Sequence, residues 1–549
     1  MDLLPPARAI FLTGFMGTGK TTTGRRLASR LALAFVDTDE IVETLSGRSI
    51  PDIFARDGED AFRAMETQAL RKAIERGPAV VSTGGGIMLR DENVRAMREA
   101  GPIICLQASP ETIIRRTGRR GDRPLLECDD PLQRVRQLLA ARAEAYSRAD
   151  AQVSSDLDDR NLVLDGICRA LAADPRSVLY ANRSFRIPVS AGNGHYCIHV
   201  QRGAFRALHT LCPARKSGAR CLVVSTAPVA ALYADRVLEG LARGGWDAQL
   251  VCVPEGEQAK SLEGASRLYD ALIDAGVDSG GMVYALGGGV VGDLAGFVAA
   301  TYRRGVGFAQ LPTTLLAQVD ASSGGKVAVN HPRGKNLIGA FYQPCGVVVD
   351  TETLASLPER DLRAGLAEVV KHAAIADAGL FRYLETQVGA FLGLDDVAVR
   401  YVVARNCQIK AKFVEQDPLD RGARACLNYG HTVGHAVEKA AGVWDLRHGE
   451  AVAIGMAAEA WLAVRMGVCS EETAQRQVGL LKRVGLPVGA PKLDFELAKS
   501  ALLQDKKIAS GRLRIPLVPQ IGKVRLLQDV DPAFLVEALG HAIQPNDER

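Results

Sequence analysis

The sequence predicts an α/β chain in three parts: a parallel-sheet unit opened by a phosphate-binding loop, a second α/β unit, and a mainly helical stretch. Three observations predict it. Near the N-terminus, Gly14-Phe15-Met16-Gly17-Thr18-Gly19-Lys20-Thr21 fits the G-x-x-x-x-G-K-[ST] nucleotide loop. Short apolar runs alternate with amphipathic stretches up to about residue 170, and again from 178 to about 350, which is the rhythm of wound parallel sheets. From about 355 onward Ala, Leu and Val recur at helical spacing.

A chain of 549 residues exceeds what one hydrophobic core organises. The expected division is 1–172, a polar linker at 173–182, an α/β domain at 183–352 and a helical domain at 353–549. Composition is that of an ordinary globular protein, 47% hydrophobic and 24% charged. A net charge of +4 is too mild to call for a nucleic-acid or membrane partner. The eleven cysteines are scattered with no C-x-x-C pair, which suits reduced thiols in the cytoplasm. No apolar run approaches the ~18 residues of a membrane-spanning helix.

Taken in order, Ala9-Ile10-Phe11-Leu12 runs straight into the phosphate loop and reads as the first strand, not as a signal peptide. Further strands are expected at 33–36, 79–82 and 102–106, with helices over 21–33 and 60–75. Gly17, Thr18, Gly19 and Thr22 belong to the loop and its helix N-terminus, whose backbone N–H groups attract phosphate oxygens. Lys20 should bridge the terminal phosphates and Thr21 should hold Mg²⁺. Asp37 and Asp39 end a strand one residue apart, so the spacing predicts both carboxylates on one face, one ordering magnesium and one meeting a substrate hydroxyl. Arg63 and Glu66 lie three apart on a helix and can pair, presenting a guanidinium to a carboxylate. Gly84-Gly85-Gly86 lets backbone approach a ligand, and Arg119, Arg120 and Arg123 sit among Gly and Pro in a candidate lid. All nine histidines lie at or beyond His195, so this part works without imidazole.

Over residues 7–170 the chain resembles shikimate kinase. The shared strings are the phosphate loop at 14–21, D-T-D at 37–39, F-R-x-x-E at 62–66, G-G-G at 84–86, R-P-L-L at 123–126, and Arg142 with Tyr146. The resemblance implies a P-loop kinase domain using ATP with Mg²⁺, the metal held at Thr21 and Asp37. It implies that Asp39, Arg63, Gly85 and Arg142 hold shikimate, and that Arg123 reaches both substrates. A kinase for gluconate or a nucleoside is the alternative on this fold.

In the second part, Gly287-x-Gly289-x-x-Gly292 follows the apolar run 282–286 and opens a helical stretch, the form of a dinucleotide turn. No acidic residue closes the next strand to grip a ribose, so an ordinary tight turn stays open. Glu368 falls on a predicted helix, His431 and His435 share a helix face four residues apart, and His448 follows. Two imidazoles and a carboxylate leave a coordination position free, the pattern of catalytic zinc. Arg304, Lys326, Lys335, Lys371, Lys410, Arg424 and the pair Lys506-Lys507 recur in Gly- and Asn-bearing strings that suit a phosphate- and carboxylate-bearing substrate.

Residues 180–545 closely resemble 3-dehydroquinate synthase. The strings are P-E-G-E-Q-x-K at 254–260, G-G-G-V-V-G-D-L-A-G-F at 287–297, L-P-T-T-L-L-A at 311–317, G-K-N-L-I-G at 334–339, A-E-V-V-K at 367–371, L-N-Y-G-H-T-V-G-H-A at 427–436 and H-G-E-A-V at 448–452. The resemblance implies an α/β NAD-binding domain followed by a mainly helical metal-binding domain. It implies that Zn²⁺ or Co²⁺ sits on Glu368, His431 and His448, and that NAD sits on Glu257, Lys260, Gly288, Gly289, Val290, Asp293, Thr313, Thr314 and Lys335. Substrate would meet Arg304, Asp320, Lys326, Asn336, Lys371, Lys410, Arg424, Asn428, Lys506 and Lys507. His435 is the choice for proton transfer, since imidazole titrates near neutrality. NAD would act catalytically: hydride removal, loss of phosphate, hydride return, then ring opening and aldol closure. Two positions depart from the family. Asp420 stands where Glu is usual, shortening the reach of a catalytic carboxylate, and Thr226-Ala227-Pro228 replaces the Asp or Asn that meets the adenosine ribose.

The expectation is therefore a bifunctional enzyme of aromatic amino-acid biosynthesis. One half phosphorylates shikimate to shikimate 3-phosphate. The other converts 3-deoxy-D-arabino-heptulosonate 7-phosphate to 3-dehydroquinate and phosphate. Small-molecule substrates, a cytoplasmic location and a homodimer through the second half accompany that reading. A related sugar-phosphate cyclase or a metal-dependent polyol dehydrogenase is the alternative for the second half. A degenerate binding module is countered by the intact Lys20, Asp37, Asp39, Glu368 and the candidate His ligands.

Overall fold

A computed structural model describes residues 7–31, 33–117, 130–156, 160–173, 184–192, 194–214, 216–442, 446–490, 492–504 and 513–543. The chain folds as two units, Met1–Arg183 and Ser184–Arg549. The expected lid with Arg119, Arg120 and Arg123, the linker over 174–182, and the pair Lys506-Lys507 lie outside the described residues.

In the first unit, β1 (Ala9–Gly14), β2 (Ala34–Asp37), β3 (Ala79–Ser82), β4 (Ile103–Gln107) and β5 (Ala151–Ser154) form one parallel sheet in the order β2-β3-β1-β4-β5. Every residue of β1 is buried, as a central strand covered on both faces requires. Strand order reverses beside β1, and the crevice at that switch point is where ligands of open α/β sheets settle. The phosphate loop leaves β1 there and enters the helix Lys20–Leu31, which stops two residues short of the expected end. Gly14 cannot be replaced without movement: its φ is +134° and a Cβ would lie 2.3 Å from the Leu106 carbonyl oxygen.

One expectation is corrected here. Strand β2 ends at Asp37, and Thr38 already begins the helix Thr38–Ser46. Asp37 caps that helix, its side chain accepting from the Asp39 backbone N–H at 3.1 Å. The two carboxylates therefore belong to different elements and do not share a strand face.

The second unit adds β6 (Ser184–Ala191), β7 (Gly194–Gln201), β8 (Ala219–Thr226), β9 (Trp246–Val253), β10 (Met282–Gly287), β11 (Gly307–Pro312), β12 (Lys326–His331), β13 (Gly334–Phe341) and β14 (Gly346–Asp350). Seven of these form a mixed sheet in the order β6-β7-β14-β11-β10-β8-β9, in which only β6 and β7 pair antiparallel. β12 and β13 form a separate antiparallel hairpin. After β14 the chain is mainly helical, with helices at Glu359–Ala376, Asp396–Gln416, His431–Ala441 and His448–Arg465 among others. The helical stretch is interrupted by the hairpin β15 (Arg514–Gln520) and β16 (Lys523–Gln528). Periodicity missed it because Arg-Ile-Pro-Leu-Val-Pro is a short apolar run broken by prolines, which speaks against a strand unless it lies at an edge.

Helix Glu359–Ala376 shapes the second site. Its buried residues run without a break from Ala364 to Ile375. A helix enclosed all round is ordinarily apolar, yet this one carries Glu368, Lys371 and His372 in the interior. Burying such groups is costly without partners, so their presence points to chemistry and not to packing. Close packing of two further helices brings the histidines in. A Cβ on Gly455 would sit 1.8 Å from the Gly430 carbonyl oxygen, and one on Gly434 would sit 2.8 Å from that of Ala451. Only glycine permits that approach of helices His431–Ala441 and His448–Arg465.

Candidate active sites

In the first unit a cavity of about 840 Å³ opens over the phosphate loop. Met16–Thr23 line one end, and Asp39, Arg63, Glu66, Gly84–Gly86 and Arg142 line the other. Gly17 and Gly19 line the cavity and adopt φ of 77° and 87°, a conformation that favours glycine. Thr18 is buried and its hydroxyl donates to the Phe15 carbonyl at 2.8 Å, while Thr22 is exposed. Lys20 Nζ donates to the carbonyls of Gly14 and Phe15 at 2.9 and 3.1 Å, which parks the ammonium across the loop. Thr21 Oγ1 donates to Asp37 Oδ2 at 2.9 Å and lies 3.4 Å from Ser82 Oγ. That hydroxyl–carboxylate pair offers the hard oxygen set that suits Mg²⁺.

At the other end Arg63 is clamped by Glu66 and Glu59, each at 2.9 Å. The Glu66 side chain is 1% exposed and Arg63 12%, so the guanidinium is fixed before any ligand arrives. Burial raises the pKa of Glu66, with Arg63 opposing. Among the described residues, Glu66 Oε1 has no hydrogen-bond partner. A Cβ on Gly84 would lie 2.2 Å from that oxygen, and one on Gly86 would strike the Arg63 guanidinium at 2.1 Å. Gly84 and Gly86 thus make room for a buried ion pair. Arg142 Nη1 reaches the Gly85 carbonyl at 3.5 Å, and Tyr146 donates to the same oxygen at 2.7 Å. Asp39, Arg63, Gly85 and Arg142 are therefore brought together. Arg116, not singled out from sequence, donates to the carbonyls of Ser155 at 2.7 Å and Gly17 at 3.5 Å.

In the second unit Glu368, His431 and His448 each offer a ligand atom within 4.8 Å of the others. Glu368 Oε1 lies 3.6 Å from His431 Nε2 and 4.0 Å from His448 Nε2. The Glu368 side chain is 1% exposed and, among the described residues, neither oxygen accepts a hydrogen bond of ordinary geometry, although the Lys371 ammonium rests against Oε2. A buried carboxylate left this way, facing two imidazole nitrogens, fits a divalent metal with an open position. His431 Nδ1 faces the Tyr429 carbonyl at 3.1 Å, and burial beside Lys371 holds its pKa well below the usual imidazole range. His435 is exposed, its ring 5.3 Å from that of His431 and 5.9 Å from that of His448. A second triad, His435, Glu438 and His448, shares His448 with the first.

The cations gather around Asp320. Lys410 pairs with it, and His372 Nε2 lies 3.6 Å from its Oδ1. Burial works against the Asp320 charge, but Lys410 and Lys371 outweigh it and hold the carboxyl well below its usual range. Burial lowers Lys410 in turn and takes His372 down to about 4. Lys326 pairs with Asp420, which sits at φ 56°, and Arg424 donates to the Gly324 carbonyl at 2.9 Å. Asn428 is half-buried at the end of the short 3-10 helix Ala423–Asn428. Arg304 is exposed with φ 66°, and among the described residues no hydrogen bond or ion pair joins it to this cluster.

The glycine turn is built as the sequence predicts: β10 ends at Gly287, Gly288 is the cap, and helix Gly289–Thr301 follows with Val290 half-buried in its first turn. Thr313 N–H donates to the Gly287 carbonyl at 3.0 Å, and Thr314 packs where a Gly288 Cβ would point. Lys260 Nζ donates to Asp293 and to Asn336 at 2.5 Å each, tying a residue assigned to NAD to one assigned to substrate. Glu257 accepts from Asn330 at 2.7 Å, and Lys335 donates to Glu438 at 3.0 Å. Thr226 ends β8 and Pro228 enters the first turn of helix Ala227–Arg243, with no side-chain cap. Glu438 was not singled out from sequence, though its position seven after His431 and three after His435 sets it on their face.

Fold and sites together define an enzyme of two parts: a P-loop phosphotransferase, and an α/β-plus-helical enzyme holding a metal-type triad beside a cluster of buried lysines. Comparison with known proteins makes this specific. Residues 16–172 match the shikimate kinase family, and residues 250–364 and 365–508 match the N- and C-terminal parts of 3-dehydroquinate synthase. The chain is 48% identical over 354 residues to 3-dehydroquinate synthase of Desulforamulus reducens, covering 64% of this chain and 99% of that protein. It is also 48% identical over 328 residues to the synthase of Pelobacter propionicus, covering 60% of this chain and 91% of that one. A solved structure of 2-epi-5-epi-valiolone synthase from Streptomyces hygroscopicus subsp. jinggangensis, with NAD⁺ and Zn²⁺ bound, is 31% identical with a TM-score of 0.59, over 66% of this chain and 100% of that one. The chain belongs to the 3-dehydroquinate synthase family and carries a shikimate kinase domain ahead of it. It joins both activities in one polypeptide. No helix among the described residues is long and apolar enough to cross a membrane.

Proposed function

We propose that the first unit phosphorylates shikimate from ATP, with Arg63 and Arg142 on the substrate carboxylate, Asp39 on its hydroxyl and Gly85 lending backbone. The observation that carries this is the Arg63 guanidinium, fixed by Glu66 and Glu59 in a cavity whose other end is the phosphate loop. Lys20 would leave its loop carbonyls for the terminal phosphates, while Thr21 and Asp37 hold Mg²⁺. Arg63→Ala and Arg142→Ala should each raise the KM for shikimate by a factor of ~10 to 100, as expected for losing a charge-assisted bidentate contact. The KM for ATP should hardly move. Steady-state kinetics with both substrates varied decides it, and an unchanged shikimate KM in both variants rejects the assignment.

For the second unit the proposal is synthesis of 3-dehydroquinate from 3-deoxy-D-arabino-heptulosonate 7-phosphate. Glu368, His431 and His448 would hold Zn²⁺ or Co²⁺. The glycine turn, Glu257, Lys260, Asp293, Thr313, Thr314 and Lys335 would hold NAD. Bound there, the two groups supply a Lewis acid and a reversible hydride acceptor. The chain's own residues do the rest. Lys371, Lys410, Lys326, Arg424, Asn336 and Asn428 hold the anionic substrate, and Asp320, kept ionised by its lysines, fixes Lys410. His435 carries a proton at the exposed edge of the imidazole cluster. Asp420, held by Lys326, takes the place of the longer carboxylate usual in the family. Supporting this reading over another sugar-phosphate cyclase is the 48% identity to curated synthases, against 31% to the valiolone synthase.

The test follows phosphate release and NADH absorbance together, with substrate, catalytic NAD and zinc. Phosphate release without NADH accumulation, abolished by a chelator, is expected. Accumulating NADH would make the second unit a dehydrogenase, and no turnover would give it a different sugar phosphate. On the family resemblance, the chain is further proposed to be a cytoplasmic homodimer through its second unit, which light scattering on the purified protein checks.

A further inference from the structure

The half-buried carboxylate of Glu438 touches both the metal triad and the β12–β13 hairpin. Its two oxygens face different elements. Oε2 lies 3.1 Å from His448 Nδ1, and Oε1 accepts from Lys335 Nζ at 3.0 Å. A carboxylate accepts only, so the first contact places a proton on Nδ1 and, in the neutral imidazole that can bind a metal, leaves Nε2 as the bare nitrogen. That Nε2 is the atom 4.0 Å from Glu368 Oε1. Lys335 belongs to β13, whereas Glu438 belongs to helix His431–Ala441 and His448 opens helix His448–Arg465. Three elements thus meet on one carboxylate.

Glu438 also falls within ligand distance of His435 and His448, so it could be read as a metal ligand itself. The hydrogen bonds decide against that. Both Glu438 oxygens are already engaged, whereas Glu368 meets the Lys371 ammonium through Oε2 alone and, among the described residues, its Oε1 facing the two imidazoles accepts no hydrogen bond. The carboxylate whose free oxygen faces both imidazoles is the ligand, and the carboxylate bonded to the far side of an imidazole is the one that orients it.

Resting on the reading of Glu368, His431 and His448 as the metal site, we infer that Glu438 is a positioning residue: it fixes the tautomer and ring orientation of His448 through one oxygen and ties the β12–β13 hairpin to the metal site through the other. The two arms are separable. Glu438→Ala removes both. Glu438→Gln keeps an oxygen that can accept from His448 Nδ1 and loses the charge facing Lys335. Lys335→Met removes only the hairpin arm.

The experiment measures zinc affinity of the full chain, without substrate, by competition with a chromogenic chelator. His448→Ala serves as the control for the underlying reading. Outer-sphere partners of metal-bound histidines typically contribute ~10- to 100-fold in affinity, so Glu438→Ala should weaken zinc by about that factor. Glu438→Gln should recover most of the loss, and Lys335→Met should bind zinc as wild type does. With Co²⁺ in place of zinc, the visible spectrum should shift in Glu438→Ala and be restored in Glu438→Gln. Wild-type zinc affinity in His448→Ala would overturn the metal site itself. Loss in His448→Ala with wild-type affinity in Glu438→Ala would overturn only the role of Glu438. Equal loss in the Ala and Gln variants, with lowered melting temperatures of both apo proteins, would also overturn it, since that pattern belongs to a fold contact.

Discussion

Glu368→Gln should strip the second unit of its metal and its activity together while leaving the kinase untouched. The substitution keeps shape and volume in a site where the side chain is 1% exposed, so packing of helix Glu359–Ala376 is preserved. What changes is charge. The carboxylate faces His431 Nε2 at 3.6 Å and His448 Nε2 at 4.0 Å, and it is the only anionic member of that triad. A neutral amide is a poor ligand for a divalent ion, and it also leaves the buried Lys371 ammonium without its partner. Lewis-acid stabilisation is worth several kcal/mol, so the turnover number should fall by on the order of 10³ or more. Elemental analysis of the purified variant should find little zinc, and the shikimate phosphorylation rate should equal wild type. Stoichiometric zinc with near-normal phosphate release would reject Glu368 as a ligand.

Lys20→Met should do the converse. Methionine fills the lysine stem's volume but loses the ammonium that now bridges the Gly14 and Phe15 carbonyls. The loop keeps other supports: the Thr18 hydroxyl on Phe15 and the backbone turns at Gly17 and Gly19. Folding should therefore survive, while the positive charge aimed at the transferring phosphoryl group is gone. Removing one such electrostatic donor costs about 10² to 10³ in rate, and kinase kcat should drop by at least that much. A coupled assay of ADP formation measures it, with phosphate release by the second unit as the internal control. Kinase activity within a few fold of wild type would remove Lys20 from the catalytic machinery.

Much of both sites was legible because local spacing was enough. The phosphate loop needs only its own residues to define strand, turn and helix, and it stands where the sequence puts it. Arg63 and Glu66 pair because a helix sets i and i+3 side by side. The helix face shared by His431 and His435 follows from the same geometry. Where local reasoning failed, competing backbone chemistry won. Asp37 and Asp39 read as strand neighbours, but a carboxylate that can cap the next backbone N–H ends the strand and starts a helix. The hairpin of β15 and β16 hid behind prolines that an edge position tolerates.

By itself the sequence determined which chemistries the chain carries, since phosphate loops, glycine turns and ligand spacings are short-range patterns with their own physical logic. Only the tertiary structure decided how distant residues share work. Asp320 and Lys410 lie ninety positions apart and neutralise each other in the interior. Lys335 reaches Glu438 across 103 positions, and through it His448. No periodicity encodes such pairs: they exist because a carboxylate removed from water must find its hydrogen-bond donors wherever packing brings them, and packing is a property of the whole unit.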